Sequence, residues 1–145
     1  MKLTSPVFAS LGMIPPKYTC DGENVNPPLV IREVPPQAKS LVLIIDDPDA
    51  AMGTWVHWLV WNIKPTVTMI KENSLPEDCV QGLNGFGERK YGGPCPPSGT
   101  HRYFFKIYAL DTEIYFESSV IKQNLLKEMQ GHVIDHAELI GRYHR

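Results

Sequence analysis

The stretch YGGPCPPSGTHRYFFKIYAL, residues 91–110, passes from a loop of glycines and prolines into a run made mostly of strand formers. Proline fixes φ and carries no N–H, while glycine opens positive φ, so the first half reads as a stiff, sharply bent loop. The second half alternates. His101, Tyr103, Phe105 and Ile107 fall on one side of an extended chain, with Arg102 and Lys106 on the other. A rigid bend feeding such a strand delivers its first inward residue, His101, to a defined place.

Working outward, three more β-type runs appear: PLVIREV (28–34), SLVLIID (40–46) and TWVHWLVWNI (54–63). The pairs Pro15-Pro16, Pro27-Pro28, Pro35-Pro36 and Pro96-Pro97 punctuate them. Short strands between proline and glycine turns, with no strand–helix–strand rhythm, predict an antiparallel sandwich or barrel. Strict alternation puts Trp55, His57, Leu59 and Trp61 on one face of their strand and Val56, Trp58 and Val60 on the other. Both faces are apolar, so the strand is expected to be central. In SLVLIIDD, Leu41, Leu43, Ile45 and Asp47 share a face, and Pro48 holds Asp47 extended. Asp47, His57 and His101 thus each place a polar group near a strand end, the makings of a small semi-buried polar site.

One helix is expected over VIKQNLLKEMQ. Ser118-Ser119 would cap it, Ile121, Leu125 and Met129 would share its buried face with Leu126 beside them, and Gly131 would end it. Leu139 to Tyr143 is read as a final strand. His132 and His136 stand four apart, a metal-capable spacing if the helix ran on, and are read as solvent-facing.

The chain has 145 residues, 43% of them hydrophobic, which suits one domain with a core that needs no staples. A net charge of −2 gives no footprint for nucleic acid or an anionic membrane. MKLTSPVFAS lacks the apolar core of a signal peptide and no run reaches membrane-spanning length, so a cytoplasmic location is expected. Cys20, Cys79 and Cys95 are odd in number and widely spaced, and are read as reduced thiols with no zinc site.

In order along the chain, YTCDGENVNPPL, DDPDA, WVHWLVWN, GPCPPSGTHRYFFKIYALD and GHVIDHAELIGRYHR resemble the phosphatidylethanolamine-binding protein family, more closely its short bacterial and archaeal branch, which is Raf kinase inhibitor-like. The resemblance implies a Greek-key β-sandwich with one or two short helices near the C-terminus. It also implies a pocket for small phosphate-like or carboxylate anions or phospholipid headgroups, built from Asp47, Asp49, Trp55, His57, Cys95, Pro96, Pro97, His101 and Tyr103. It implies a homodimer, and inhibition of a protein kinase or serine protease as the action of some members, without a cofactor. Ala51 stands where the family motif continues with proline, followed by Met52. The longer C-terminal segment that lies at the pocket mouth of animal members is not expected here.

Chemically, a phosphate group asks for hydrogen-bond donors in a partly dehydrated cavity. An imidazole beside a carboxylate supplies one with charge assistance, and backbone N–H groups of Gly93, Cys95, Ser98 and Gly99 offer more. On residues alone, the favoured reading is two satisfied core histidines with Asp47 as a strand-end cap, and the resemblance reverses that preference. Asp49 is read as bonding its own turn even where it borders the pocket. Asp47, Asp49, His57 and His101 are metal-ligand types, but their spacing matches no metal motif. The rival function is a small hydrolase using the same acid and histidines, with Cys95 or Ser98 as nucleophile, although no G-x-S-x-G elbow is present.

Overall fold

The computed structural model describes residues 1–116 and 120–145. Two antiparallel sheets form it. The smaller has the order β1 (Lys2–Thr4), β2 (Leu29–Arg32), β5 (Met69–Ile70). The larger runs β6 (Val80–Gln81), β4 (Trp55–Ile63), β3 (Ser40–Asp47), β7 (Thr100–Leu110), β8 (Val133–His144). One α-helix, α1 (Lys122–Met129), precedes β8, and a 3-10 turn spans Pro16–Tyr18. The expected β-sandwich is borne out.

β3 is central because it is apolar on both faces, and every one of its residues is buried. Leu41, Leu43 and Ile45 point into the core between the sheets, where Leu3, Leu29, Ile31 and Ile70 of the small sheet meet them. Val42 and Ile44 point the other way, into a second core that Leu125 and Met129 of α1 cover. Asp47 and Asp46 continue these two rows, one on each face.

β4 departs from simple alternation. Trp58 lies opposite Ile45 and Val56 opposite Asp46, so His57 is an extra residue between them, a β-bulge. A second irregularity sits at Asn62, with φ of 55°, between the Val60 and Ile63 pairings. Its side-chain amide exchanges hydrogen bonds with the Ile114 backbone at 2.7 and 2.8 Å. An extra residue reverses parity. Trp58 and Val60 therefore enter the inter-sheet core, while Val56, Leu59 and Trp61 lie on the α1 side. The face expected to hold Trp55, His57, Leu59 and Trp61 together is split at the bulge.

α1 buries Leu125 and Met129 as expected, but Ile121 is exposed at its N-cap and Leu126 is also exposed. Asn124 accepts the Ile121 N–H at 3.0 Å, and the expected cap at Ser118-Ser119 falls outside the described residues. Gly131, with φ of 79°, ends the helix as read. Beyond it the chain is strand from Val133, longer than expected, so His136 belongs to β8, and His132 just before it pairs with Asp111 at 2.7 Å. Asp46, 1% exposed, fastens α1 to the sheet by taking Lys122 Nζ at 2.7 Å, with Lys106 Nζ at 3.3 Å.

Candidate functional site

At the ends of β3, β4 and β7, three side chains converge. Asp47 is 3% exposed and stays so because both oxygens are used. Oδ1 accepts the Asp49 N–H at 2.7 Å, closing the turn around Pro48, and Oδ2 lies 2.6 Å from His101 Nδ1. A carboxylate only accepts, so Nδ1 carries the proton and Nε2 is the ring's outward nitrogen. His101 follows the parity read from the sequence, since Tyr103, Phe105 and Ile107 all enter the inter-sheet core.

His57 reaches the same region through its bulge. Its Nδ1 is 2.6 Å from the Gly92 carbonyl, and the Gly92 N–H returns a 3.0 Å bond to the His57 carbonyl. A carbonyl only accepts, which again places the proton on Nδ1. The ring packs edge-on to Tyr103, centroids 5.2 Å apart, and to Phe86 at 5.9 Å. At 2% exposure, burial pulls the His57 pKa below its ordinary value, against the opposing bond from Gly92 and the charge of Asp47. The Tyr103 phenol is likewise pushed up by burial. His57 Nε2 and the Tyr103 hydroxyl are both buried without a hydrogen-bond partner, although such orphans are uncommon.

These groups border a cavity of about 290 Å³. Asp47, Trp55, His57, His101 and Tyr103 line it, and Cys95, Pro96 and Pro97 form another wall, so the structure brings together eight of the nine residues singled out from sequence. Asp49 is the exception. It turns outward, accepting Arg102 Nε, Nη2 and backbone N–H at 2.8–2.9 Å, and those bonds hold its carboxyl down to about 2. Asp49 braces the rim rather than facing the cavity. Ala50, Ala51 and Met52 supply a wall where the family motif has proline, and Met52 is 96% exposed. Phe86 is the member that sequence reading missed. Its signal is Asn84, whose Oδ1 accepts the N–H of Phe86 and Glu88 and whose amide donates to the Lys90 carbonyl, a closed turn that presents the ring.

A disulfide and five hydrogen bonds fix the loop before His101. Cys20 and Cys95 are joined in a disulfide, so the expectation of three reduced thiols is overturned and Cys79 alone is free. The pairing arises because residues 18–24 lie along the loop. Tyr91 donates its hydroxyl to the Tyr18 carbonyl at 2.7 Å, Cys20 N–H bonds the Pro94 carbonyl at 3.1 Å, and Asn24 Oδ1 takes the Gly93 N–H at 2.8 Å. These contacts set the two Cα atoms 5.5 Å apart across 75 residues of sequence. At the far side Gly99 and Arg145 exchange backbone bonds at 2.8 and 3.1 Å. Gly93 and Gly99 N–H are therefore occupied and not free for a ligand, contrary to expectation. No described peptide bond is cis.

A larger depression of about 820 Å³, beside Asn62, Val80 and Tyr115, is lined by no histidine and no cysteine. Size alone does not make a site. The Asp47 cavity is smaller but holds the unpartnered polar groups. Among the described residues, no three His, Cys, Asp or Glu side chains are grouped to hold a metal ion. No described helix is long and apolar enough to cross a membrane.

The chain is 51% identical to a UPF0098 protein of Methanothermobacter thermautotrophicus, over all of this chain and 99% of that one. A crystal structure from Chlamydia trachomatis, described as a phosphatidylethanolamine-binding protein homologue, superposes with a TM-score of 0.95 at 46% identity, covering 99% and 97% of the two chains. Escherichia coli YbcL, described as a new member of the mammalian family of that name, superposes at 0.92 with 32% identity, covering 99% and 98%. The family model described as phosphatidylethanolamine-binding protein matches residues 4–144. With the three strand-end groups converging as its motifs imply and the match running almost from end to end, the chain belongs to the phosphatidylethanolamine-binding protein family.

Proposed function

We propose that this protein binds a small phosphate-bearing anion, such as a phosphorylethanolamine-like headgroup, in the Asp47–His57–His101 cavity, as a binding module rather than a catalyst. The observation that carries the reading is the pair of buried, unpartnered polar atoms, His57 Nε2 and the Tyr103 hydroxyl, on two residues that line one small cavity with the His101–Asp47 pair. An orphaned polar atom costs about 1–3 kcal/mol, and a ligand that bonds it recovers that cost. In its protonated form His101 donates Nδ1–H to Asp47 and Nε2–H into the cavity, which adds charge assistance for an anion. The hydrolase alternative loses its thiol nucleophile, because Cys95 is in a disulfide, and Ser98 is not among the cavity's lining residues. Inhibition of a kinase or protease would present the cavity rim, including Met52 and Phe86, to the target.

The test is a titration with phosphorylethanolamine followed by histidine and tryptophan side-chain NMR. Shifts centred on His57, His101 and the Trp55 indole, and lost in His57→Ala and His101→Ala, are expected. Shifts confined to other residues, or none at millimolar ligand, would refute the reading.

A further inference from the structure

The two imidazoles have different Nδ1 partners, a carboxylate for His101 and a backbone carbonyl for His57, and the difference selects among anions. His57 gives its Nδ1 proton to the Gly92 carbonyl, whose position the backbone bond from Gly92 N–H to the His57 carbonyl fixes, so a ring turned over would lose its buried partner. What remains at Nε2 in the neutral ring is a lone pair, an acceptor. The groups facing this ring are Asp47 from β3, His101 and Tyr103 from β7, the Phe86 ring and Gly92 carbonyl from the loop, and Trp55 from its own strand. Asp46 lies behind the sheet. The negative charges of Asp47 and Asp46 favour a charged ring, but burial outweighs them and keeps His57 below its ordinary range.

A fully ionised oxyanion meeting that lone pair is repelled, whereas one that still carries a proton can donate it. We infer that the cavity takes its phosphate group in the singly protonated, monoanionic form, the P–O–H donating to His57 Nε2 while Tyr103, and His101 in its protonated form, donate to the other oxygens. The inference rests on the anion reading above. It names the ligand class more closely: inorganic phosphate or a phosphate monoester is preferred over sulfate, which keeps no proton near neutral pH, and over a phosphodiester, which has none to give. A soluble monoester is thus favoured over an intact phospholipid, whose headgroup is a diester. No bond is made or broken; the proton is shared within a hydrogen bond.

Isothermal titration of the whole chain with four probes (inorganic phosphate, phosphorylethanolamine, sulfate and dimethyl phosphate) between pH 5.5 and 7.5 tests this. Sulfate matches phosphate in size and charge-bearing oxygens, so it isolates the proton. At pH 6.5 sulfate and dimethyl phosphate should bind at least about tenfold more weakly than the monoester, a difference of about 1.4 kcal/mol. With a second phosphate pKa near 6, the monoanionic fraction falls roughly 25-fold from pH 5.5 to 7.5, and the monoester-to-sulfate affinity ratio should fall with it. His57→Gln offers an amide that both donates and accepts, and should bring the two affinities within about threefold. Equal affinity for sulfate and phosphate in the unmodified protein, or an unchanged ratio in His57→Gln, would overturn the inference while leaving anion binding intact. Failure of all four probes to bind would instead remove the anion reading and this inference with it.

Discussion

Removing the Cys20–Cys95 bond is the perturbation with the most calculable effect. Reduction should leave the folded structure nearly unchanged, because Cys20 N–H to Pro94, Asn24 to Gly93 and Tyr91 to Tyr18 hold the two segments together independently. The loss then falls on the unfolded chain, which regains the freedom that a bridge across 75 residues denied it. In the chain-entropy treatment a loop of that length costs about 15 cal/mol/K, or about 4.5 kcal/mol near room temperature. For a chain of this size the entropy of unfolding is on the order of 300 cal/mol/K, so the melting temperature should drop by about 15 °C. Urea unfolding with and without dithiothreitol measures the first quantity and scanning calorimetry the second. The Cys20→Ser/Cys95→Ser double variant should match the reduced protein and ignore the reductant. Thiol titration in denaturant without reductant should find one reactive sulfur, Cys79. Three reactive sulfurs, or urea midpoints that coincide with and without reductant, would refute the reasoning.

Three further outcomes follow from the site and its supports. Burial holds the folded His57 ring below its unfolded pKa, so its contribution to stability is complete above about pH 6.5 and is lost as pH falls below it; the unmodified protein should lose up to about 1.4 kcal/mol per pH unit more than His57→Gln in urea melts from pH 6.5 downward, and parallel slopes would contradict this. Asp47→Asn removes the anionic partner of His101 from a buried position and should cost about 1–3 kcal/mol in urea unfolding and abolish the His101 shift on phosphorylethanolamine addition; a variant as stable as the original would count against it. Gly93→Ala would set a methyl 2.4 Å from the Tyr18 carbonyl oxygen and 2.9 Å from Thr19 Cα, both backbone, so a loss of about 2–3 kcal/mol is expected in thermal melts, whereas unchanged melting would mean the loop is not clamped as described.

How far the sequence could be read depended on whether strands kept their period. β3 and β7 pair without interruption from Ser40↔Leu110 to Asp46↔Phe104, so alternation correctly placed Asp47 and His101 on the core face. β4 breaks its period twice, and nothing in TWVHWLVWNI marks His57 as an inserted residue. His57 nevertheless reaches the cavity, because the bulge turns it onto the face that carries Tyr103. The disulfide was invisible for another reason. Three cysteines allow three pairings or none, and only the fold lays residues 18–24 against residues 91–95. Phe86 sits in a loop whose shape depends on Asn84 side-chain bonds, which no hydrophobic period records.

The stiff loop before His101 now has a physical role. A cavity wall made of Pro96 and Pro97 has few conformations of its own, but a rigid wall is useful only where its position is also fixed. Here position comes from both ends: Cys95 is tied to Cys20 and Gly93 to Asn24 on one side, and Gly99 is tied to Arg145 on the other. The opposite wall is set by consecutive acids. Asp46 and Asp47 face opposite sides of one strand, so the lysines that hold Asp46 against α1 also fix the height at which Asp47 meets His101. Slipping β3 by one residue would send Asp47 to the lysines and Asp46 to the histidine, turning every apolar residue of the strand to the wrong core. Register in the hydrophobic interior and geometry at the polar site are therefore one constraint. A ligand entering the cavity meets groups already held in place, and little of its binding energy is spent on ordering them.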